Sequence, residues 1–267
     1  MRSPLTENAT GRWELILDPY GRPGAENMSL DASLLAESNT TGRAFLRLYR
    51  FDPRCLSLGR NEPSAHYDRA AIARLGLDVV RRPTGGGSVW HEDEVTYAVV
   101  APIAVFGGLR EAYCAIHERL AVALRTLGAD AALAPDRPRP WTALDRPTSC
   151  FALPAGGEVL VAGRKLIGSA QVRQRRAFLQ HGSILLGGSQ GVIASISRKP
   201  QAASREATLA QVLGRRVTFD EVAEAIIAAW GAELTSTDRH HPPPSSTIRL
   251  LVSRFPPRGK CSSPAGR

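Results

Sequence analysis

Arg81-Arg82-Pro83-Thr84-Gly85-Gly86-Gly87-Ser88-Val89-Trp90-His91 reads as a strand running into a triple-glycine turn and out again into another strand. Three consecutive glycines carry no Cβ to hold a ligand away and reach positive φ without strain, so the backbone there can touch a substrate directly. A phosphate-cradling P-loop or a dinucleotide fingerprint needs a helix to begin at the glycines. Here Ser88-Val89-Trp90 and then Val95-Thr96-Tyr97-Ala98-Val99-Val100 follow, a β-branched and aromatic pattern that makes strand. The loop is therefore of neither kind. On the glycines alone, a hairpin without chemical consequence and a backbone-lined site are equally good readings.

Upstream of the loop, Leu77-Asp78-Val79-Val80 is the strand that feeds it, preceded by a helix marked by Tyr67, Ile72 and Leu75 and stopped by Gly76. Further back, Cys55–Leu58, Ala44–Arg50 and Trp13–Leu17 read as strands, and helical spacing of Met28, Ala32 and Leu35 places an amphipathic helix over Ala25–Glu37. Downstream, Leu109, Tyr113, Ile116, Leu120, Leu124 and Leu127 form one helical stripe, ended by Gly128. Cys114 and His117 lie beside that stripe and read as packing residues. Ala129 to Thr148 reads as a long connection.

Val159-Leu160-Val161, a turn at Ala162-Gly163-Arg164 and a strand from Lys165 to Arg173 make a hairpin, followed by Phe178 to Leu186. Period two sets Lys165, Ser169, Gln171 and Arg173 on one face of that strand, which is a solvated surface or the polar wall of a site. The last globular element begins at Thr218-Phe219-Asp220-Glu221, a capping box, and stops at Gly231 after Trp230. These elements predict one α/β (mixed α+β) domain over residues 13–234 and a Pro/Ser/Arg-rich tail over 235–267 that reads as disordered, its His240-His241 pair included.

The whole chain sets bounds. Its 267 residues can bury one sizeable core, with 43% apolar and 22% charged residues. Met1 to Arg12 has no apolar leader, and the longest apolar stretch, Val95 to Gly108, is too short for a bilayer span, so a cytoplasmic protein without a membrane partner is expected. Cys55, Cys114, Cys150 and Cys261 show no metal spacing and read as free thiols; no metal site is expected. A net charge of +9 is dispersed without an aromatic-basic motif, which fits an acidic protein partner better than nucleic acid. Of 34 basic residues only three are lysine, and one of them is Lys165. A compact ammonium wanted there, or chance, explains it.

Taken together, the residues carry a resemblance. Arg81 to His91 closely resembles the R-R-x-[ST]-G-G-[GR]-x-V-x-H motif of the lipoate/octanoate-handling branch of the biotin/lipoate protein ligase family. Gly163-Arg164-Lys165-Leu166-Ile167-Gly168-Ser169-Ala170-Gln171 and Leu179-Gln180-His181-Gly182-Ser183-Ile184-Leu185 resemble two further segments of that family. Weaker matches are Glu26-Asn27-Met28-Ser29-Leu30-Asp31 and Leu56-Ser57-Leu58-Gly59-Arg60. The segments occur in the family's order over about Trp13 to Gly231.

What the resemblance implies is specific. The fold is that of class II aminoacyl-tRNA synthetase and biotin synthetase cores, β-sheets with helices packed around them. Cys150 stands fifteen residues before Lys165, where one type of octanoyltransferase carries its nucleophile. Alone, it would read as a small core residue. The implied reaction takes octanoate from octanoyl-acyl carrier protein onto Cys150 and passes it to a lysine of a lipoyl-domain protein, the glycine-cleavage H protein or a 2-oxoacid dehydrogenase E2. A nearby ammonium such as Lys165 favours the thiolate that such exchange needs. Arg82, Thr84, Gly85, Gly86, Gly87, His91, Gly168, Ser169 and Ala170 are the expected substrate-binding residues. His91 orients backbone, shuttles a proton or is simply a satisfied structural histidine, His181 reads as structural, and Arg81 and Arg82 attract a carrier or pair within the fold. No cofactor is expected for the transferase. A lipoate ligase would need ATP and Mg, and a non-catalytic acyl-binding homologue is the third reading.

Overall fold

The computed structural model describes residues 13–135, 150–151, 156–199, 206–231 and 234–236. In chain order the elements are β1 (Trp13–Arg22), α1 (Gly24–Thr41), β2 (Ala44–Phe51), β3 (Cys55–Leu58), α2 (Arg69–Arg74), β4 (Asp78–Arg81), β5 (Val89–His91), β6 (Glu94–Pro102) and α3 (Leu109–Thr126). They continue with β7 (Ala131–Leu133), β8 (Val159–Val161), β9 (Arg164–Lys165), β10 (Ile167–Gln174), β11 (Ala177–Leu185), α4 (Val192–Ile196), α5 (Leu209–Leu213), α6 (Phe219–Trp230) and β12 (Leu234–Ser236). No helix among the described residues is long and apolar enough to cross a membrane.

A six-stranded sheet in the order β10-β11-β6-β2-β1-β12 forms the frame. β1 runs parallel to β2, joined through α1, and β2, β6, β11 and β10 are antiparallel neighbours. Both faces of this sheet are covered, so β6 is apolar over nearly its whole length. Val95, Tyr97, Val99 and Ala101 pack into the larger core with α3 and α6, and Ala98 and Val100 into a second core with Met28, Leu34 and Leu35 of α1. In the larger core Trp13 meets Trp230 edge-on, ring centroids 6.0 Å apart. The capping box at α6 is formed, Thr218 and Glu221 satisfying each other's backbone amides.

A small sheet, β4-β3-β5, lies beside the frame. Leu56, Leu58 and Trp90 pack outward with Tyr67, Ile193 and Ile196. Strand alternation aims Ser57, Val89 and His91 the other way, toward the large sheet. A third sheet, β7-β8-β9, follows.

Among the strands, the structure departs from the sequence reading in four places. β1 continues past the expected end at Leu17 to Arg22, because it keeps pairing with β2 as far as Phe51 across a bulge. The strand expected from Lys165 to Arg173 breaks at Leu166, so Lys165 pairs with Leu160 of β8 in the third sheet while β10 pairs with β11. β7 lies inside the expected connection and pairs with β8. β12 pairs parallel with β1, which carries ordered structure to Ser236, past the boundary expected at 234. Residues 237–267, including the expected tail and its histidine pair, lie outside the described residues.

Candidate active site

Cys150 is held from its backbone. Its amide donates to the Ser88 carbonyl at 3.0 Å, directly after the glycine loop. Its own carbonyl accepts from Lys165 Nζ at 2.6 Å, and Sγ lies 3.9 Å from the same nitrogen. Lys165 is only 3% exposed, and Glu158 Oε1 is 2.7 Å from its ammonium. Tyr113 Oη donates to that same carboxylate oxygen at 3.3 Å. Burial alone would push the Lys165 pKa down, but the negative charges of Cys150 and Glu158 outweigh it and hold the ammonium above its ordinary value.

Cys150 lines an open pocket of about 330 Å³ with the solvent at its mouth included. Met28, Tyr49, Phe51 and Val89 form its apolar wall; Arg82, His91, Gly168, Ser169, Ala170, His181 and Ser183 are also on its surface. Five of the expected binding residues, Arg82, His91, Gly168, Ser169 and Ala170, therefore share one cavity with Cys150. Thr84 and the three glycines do not line it.

The glycine loop is braced from within. The fully inserted Arg82 donates to the carbonyls of Ser57, Gly85 and Gly87, at 3.1, 2.8 and 2.6 Å, and Arg81 to those of Gly59, Arg60 and Glu62. Of the two roles open to these arginines, pairing within the fold is what the structure shows. Gly59 has to be glycine here, since a Cβ would sit 2.0 Å from the Gly86 carbonyl oxygen.

Two buried chains of acid, imidazole and hydroxyl reach the cavity. In one, Asp31 Oδ2 meets His181 Nδ1 at 2.9 Å, and His181 Nε2 meets Thr84 Oγ1 at 2.7 Å. Asp31 is also paired with Arg47, whose second anchor is Asp18. In the other, Glu94 Oε1 meets His91 Nδ1 at 2.5 Å, and His91 Nε2 meets Ser57 Oγ at 2.7 Å. Phe51 stacks on the His91 ring at 3.9 Å. His181, expected to be structural, thus has a place on the cavity wall as well.

His117 was expected to pack at the edge of the helix; it is fully buried, with Nε2 2.8 Å from Ser169 Oγ, which also meets Tyr97 Oη at 2.8 Å. Burial, aided by the charge of Lys165, depresses its pKa from 6.5 to about 3, so it is neutral at physiological pH. Below pH 6.5 the unfolded chain takes up this proton first, so stability is expected to fall with pH by about 1.4 kcal/mol per unit from this one group. Urea titrations at pH 7, 6 and 5 test this: His117→Gln should remove one proton's worth of that slope, and an unchanged slope refutes it.

Sequence reasoning missed Glu158, Tyr113, Ser57, Glu94 and Asp31. For Glu158 a signal existed: it enters a buried strand seven residues before a lysine that itself has to be neutralised. Ser57 and Asp31 lie in the two weakly matching segments.

Residues 23–231 match the model of the lipoyl protein ligase A/B catalytic domain. The chain is 36% identical over 232 residues to octanoyltransferase LipM of Moorella thermoacetica, covering 80% of this chain and 82% of that one. It is 34% identical over 235 residues to octanoyltransferase LipM of Bacillus subtilis, covering 80% and 83%. Among solved structures, lipoate-protein ligase A bound with ATP superposes with a TM-score of 0.67 at 22% identity, over 86% of this chain and 90% of that one. Protein Ta0514 of T. acidophilum, a lipoate protein ligase homologue with bound lipoic acid, gives 0.64 at 20% identity, over 85% and 88%. At those identities the likeness is one of fold.

Proposed function

The chain belongs to the lipoyl protein ligase A/B catalytic-domain family, and from that premise we propose that residues 13–236 form an octanoyltransferase that works through a Cys150 thioester. The observation that carries this reading is the meeting of Cys150 and Lys165: Sγ 3.9 Å from a buried ammonium, at the mouth of a cavity with one apolar wall. The relatives named octanoyltransferase supply the acyl group, and the cavity's Met28, Tyr49, Phe51 and Val89 suit an aliphatic chain.

The thiolate attacks the carbonyl carbon of octanoyl-acyl carrier protein, the C–S bond to the carrier breaks, and the carrier leaves as a thiol with a proton from the Lys165 ammonium. The lysine amine of a lipoyl domain, on an E2 or H protein, then attacks the S-octanoyl enzyme and frees the sulfur. Each step passes through an oxyanion, which the Lys165 ammonium, already within reach of the reacting sulfur, stabilises. The donor is an activated thioester, so no nucleotide is required.

The test supplies octanoyl-carrier protein and a lipoyl domain, without ATP, and measures amide formation by mass. Transfer without ATP is the expected result. Modification that appears only with ATP and free octanoate or lipoate would make the protein a ligase, and binding of acyl donor without turnover a non-catalytic homologue.

A further inference from the structure

The turn between β10 and β11 gathers positive charge that the fold leaves unneutralised. Its two residues, Arg175 and Arg176, close the Gln174–Ala177 pair, and both are exposed, as is Arg173 just before them. Arginines elsewhere on the surface stand against carboxylates: Arg54, Arg125 and Arg215 each meet a glutamate oxygen, at 2.9, 2.7 and 2.7 Å. Among the described residues the three at the turn have no ion pair, and Arg173 Nε donates to the Arg175 carbonyl at 3.1 Å.

The turn also holds its arginines at a cost. Arg175 has a φ of 52°, in the left-handed region that two-residue hairpin turns give to glycine or asparagine. Its side chain is in solvent, so no packing offsets the strain. The backbone, by contrast, is pinned from two sides. Asn39 Oδ1 of α1 accepts from the amides of Arg176 and Ala177 at 3.1 Å each, and the Arg176 carbonyl accepts from the Ile103 amide at 2.8 Å. A fixed turn thus holds three cations out into water.

β10, the outermost strand of the large sheet, links this turn to the reacting sulfur. Gly168, Ser169 and Ala170 line the pocket together with Cys150. From Ala170 to Arg175 the hairpin runs about 17 Å, at about 3.4 Å per residue. That separation decides which substrate can use the turn. An acceptor lysine has only a four-carbon stem, so the acceptor has to cover the pocket mouth itself. A carrier protein holds its acyl group at the end of a long flexible arm, so its folded body docks at a distance.

Resting on the transferase reading, we propose that Arg173, Arg175 and Arg176 are the docking site of the carrier that delivers the acyl group, and that this carrier presents an acidic face to them. Its carboxylates meet the guanidinium forks, its arm runs beside β10, and the thioester reaches Cys150. Arginine suits carboxylate geometry. Clustered charge at an exposed rim acts mainly on the rate of encounter. No bond is made or broken at the turn.

The test removes the charge and keeps the turn. In Arg173→Glu/Arg175→Gly/Arg176→Glu, glycine at 175 relieves the positive φ, and the bonds from Asn39 and Ile103 are to backbone. Loading of Cys150 from octanoyl-carrier protein is timed by mass, beside loading from octanoyl-pantetheine, which is the arm without its protein, and discharge by a lipoyl domain. At low salt the second-order rate constant for loading from the carrier is expected to fall about tenfold or more, with the rate at saturating carrier unchanged. The difference from the parent should shrink as salt is added. Octanoyl-pantetheine and the lipoyl domain should not distinguish the two proteins. Undiminished loading from the carrier, an equal fall with both donors, or a fall confined to the lipoyl-domain step overturns the docking site while leaving the transferase reading intact. Failure of the unaltered protein to take an acyl group from either donor overturns the transferase reading and the docking site with it.

Discussion

Cys150→Ala is expected to lower octanoyl transfer on the order of 10³-fold or more, with the fold preserved. The substitution removes the sulfur and little else. The backbone contacts that set residue 150, its amide on Ser88 and its carbonyl on Lys165, do not depend on the side chain. Sγ is half-buried at the cavity edge and packs only at the margin of the Val89, Phe151 and Leu185 cluster. The expected loss in stability is about 1 kcal/mol or less. Steady-state transfer and thermal unfolding, measured on the same preparation, separate the effects. A variant that unfolds with the parent yet retains more than a few per cent of the rate would mean that the acyl group never rests on this sulfur.

The second large effect is at Lys165, and here stability and catalysis change together. Lys165→Met strips Glu158 of its cation at a point where both side chains are nearly inaccessible. Breaking a buried pair from one side typically costs about 3–5 kcal/mol. Transfer should also fall by about 10²–10³-fold, from loss of the cation that stands beside the sulfur and meets the oxyanion. The double variant Lys165→Met/Glu158→Gln removes both charges at once. It should regain most of the stability and none of the rate. If it regained the rate, the ammonium would be a structural counter-ion to Glu158 and no part of the chemistry.

These two residues were legible in the sequence for different reasons. Lys165 stands out in a chain that otherwise writes arginine, inside a segment that resembles a family motif. Cys150 was selected by its place before that segment, since a lone cysteine has no pattern of its own. The frame was readable because its elements carry strong periods: α3 shows its buried stripe of Ala112, Ile116, Leu120 and Leu124, and β3 ends where Asp52-Pro53 and Gly59 bracket it. β7 and β12 were not, since three residues hold no period and form strands only because β8 and β1 lie alongside. The break at Leu166 was invisible for the same reason, as it depends on which neighbour each half pairs with.

The hydrogen-bonded chains behind the cavity were the least legible part. Asp31 and His181 are 150 residues apart, and His91 and Ser57 are 34 apart. Nothing local marks either contact, although each side chain lies in a segment the resemblance had already picked out. Buried polar groups of this kind must find partners, so a motif rich in histidine, serine and acid on strands buried on both faces is itself a sign of such a network. His117 shows the limit. A helix stripe says that it faces inward, and only the position of Ser169 on β10 says what it meets.

The account rests on a covalent acyl group at one sulfur, and that is directly measurable. The protein, incubated with octanoyl-carrier protein in the absence of ATP, is digested at low pH and its peptides are weighed. One octanoyl group on the peptide that contains Cys150, released by hydroxylamine, is the predicted result. Octanoate on a different residue, or no adduct from a protein that still modifies its acceptor, would contradict it.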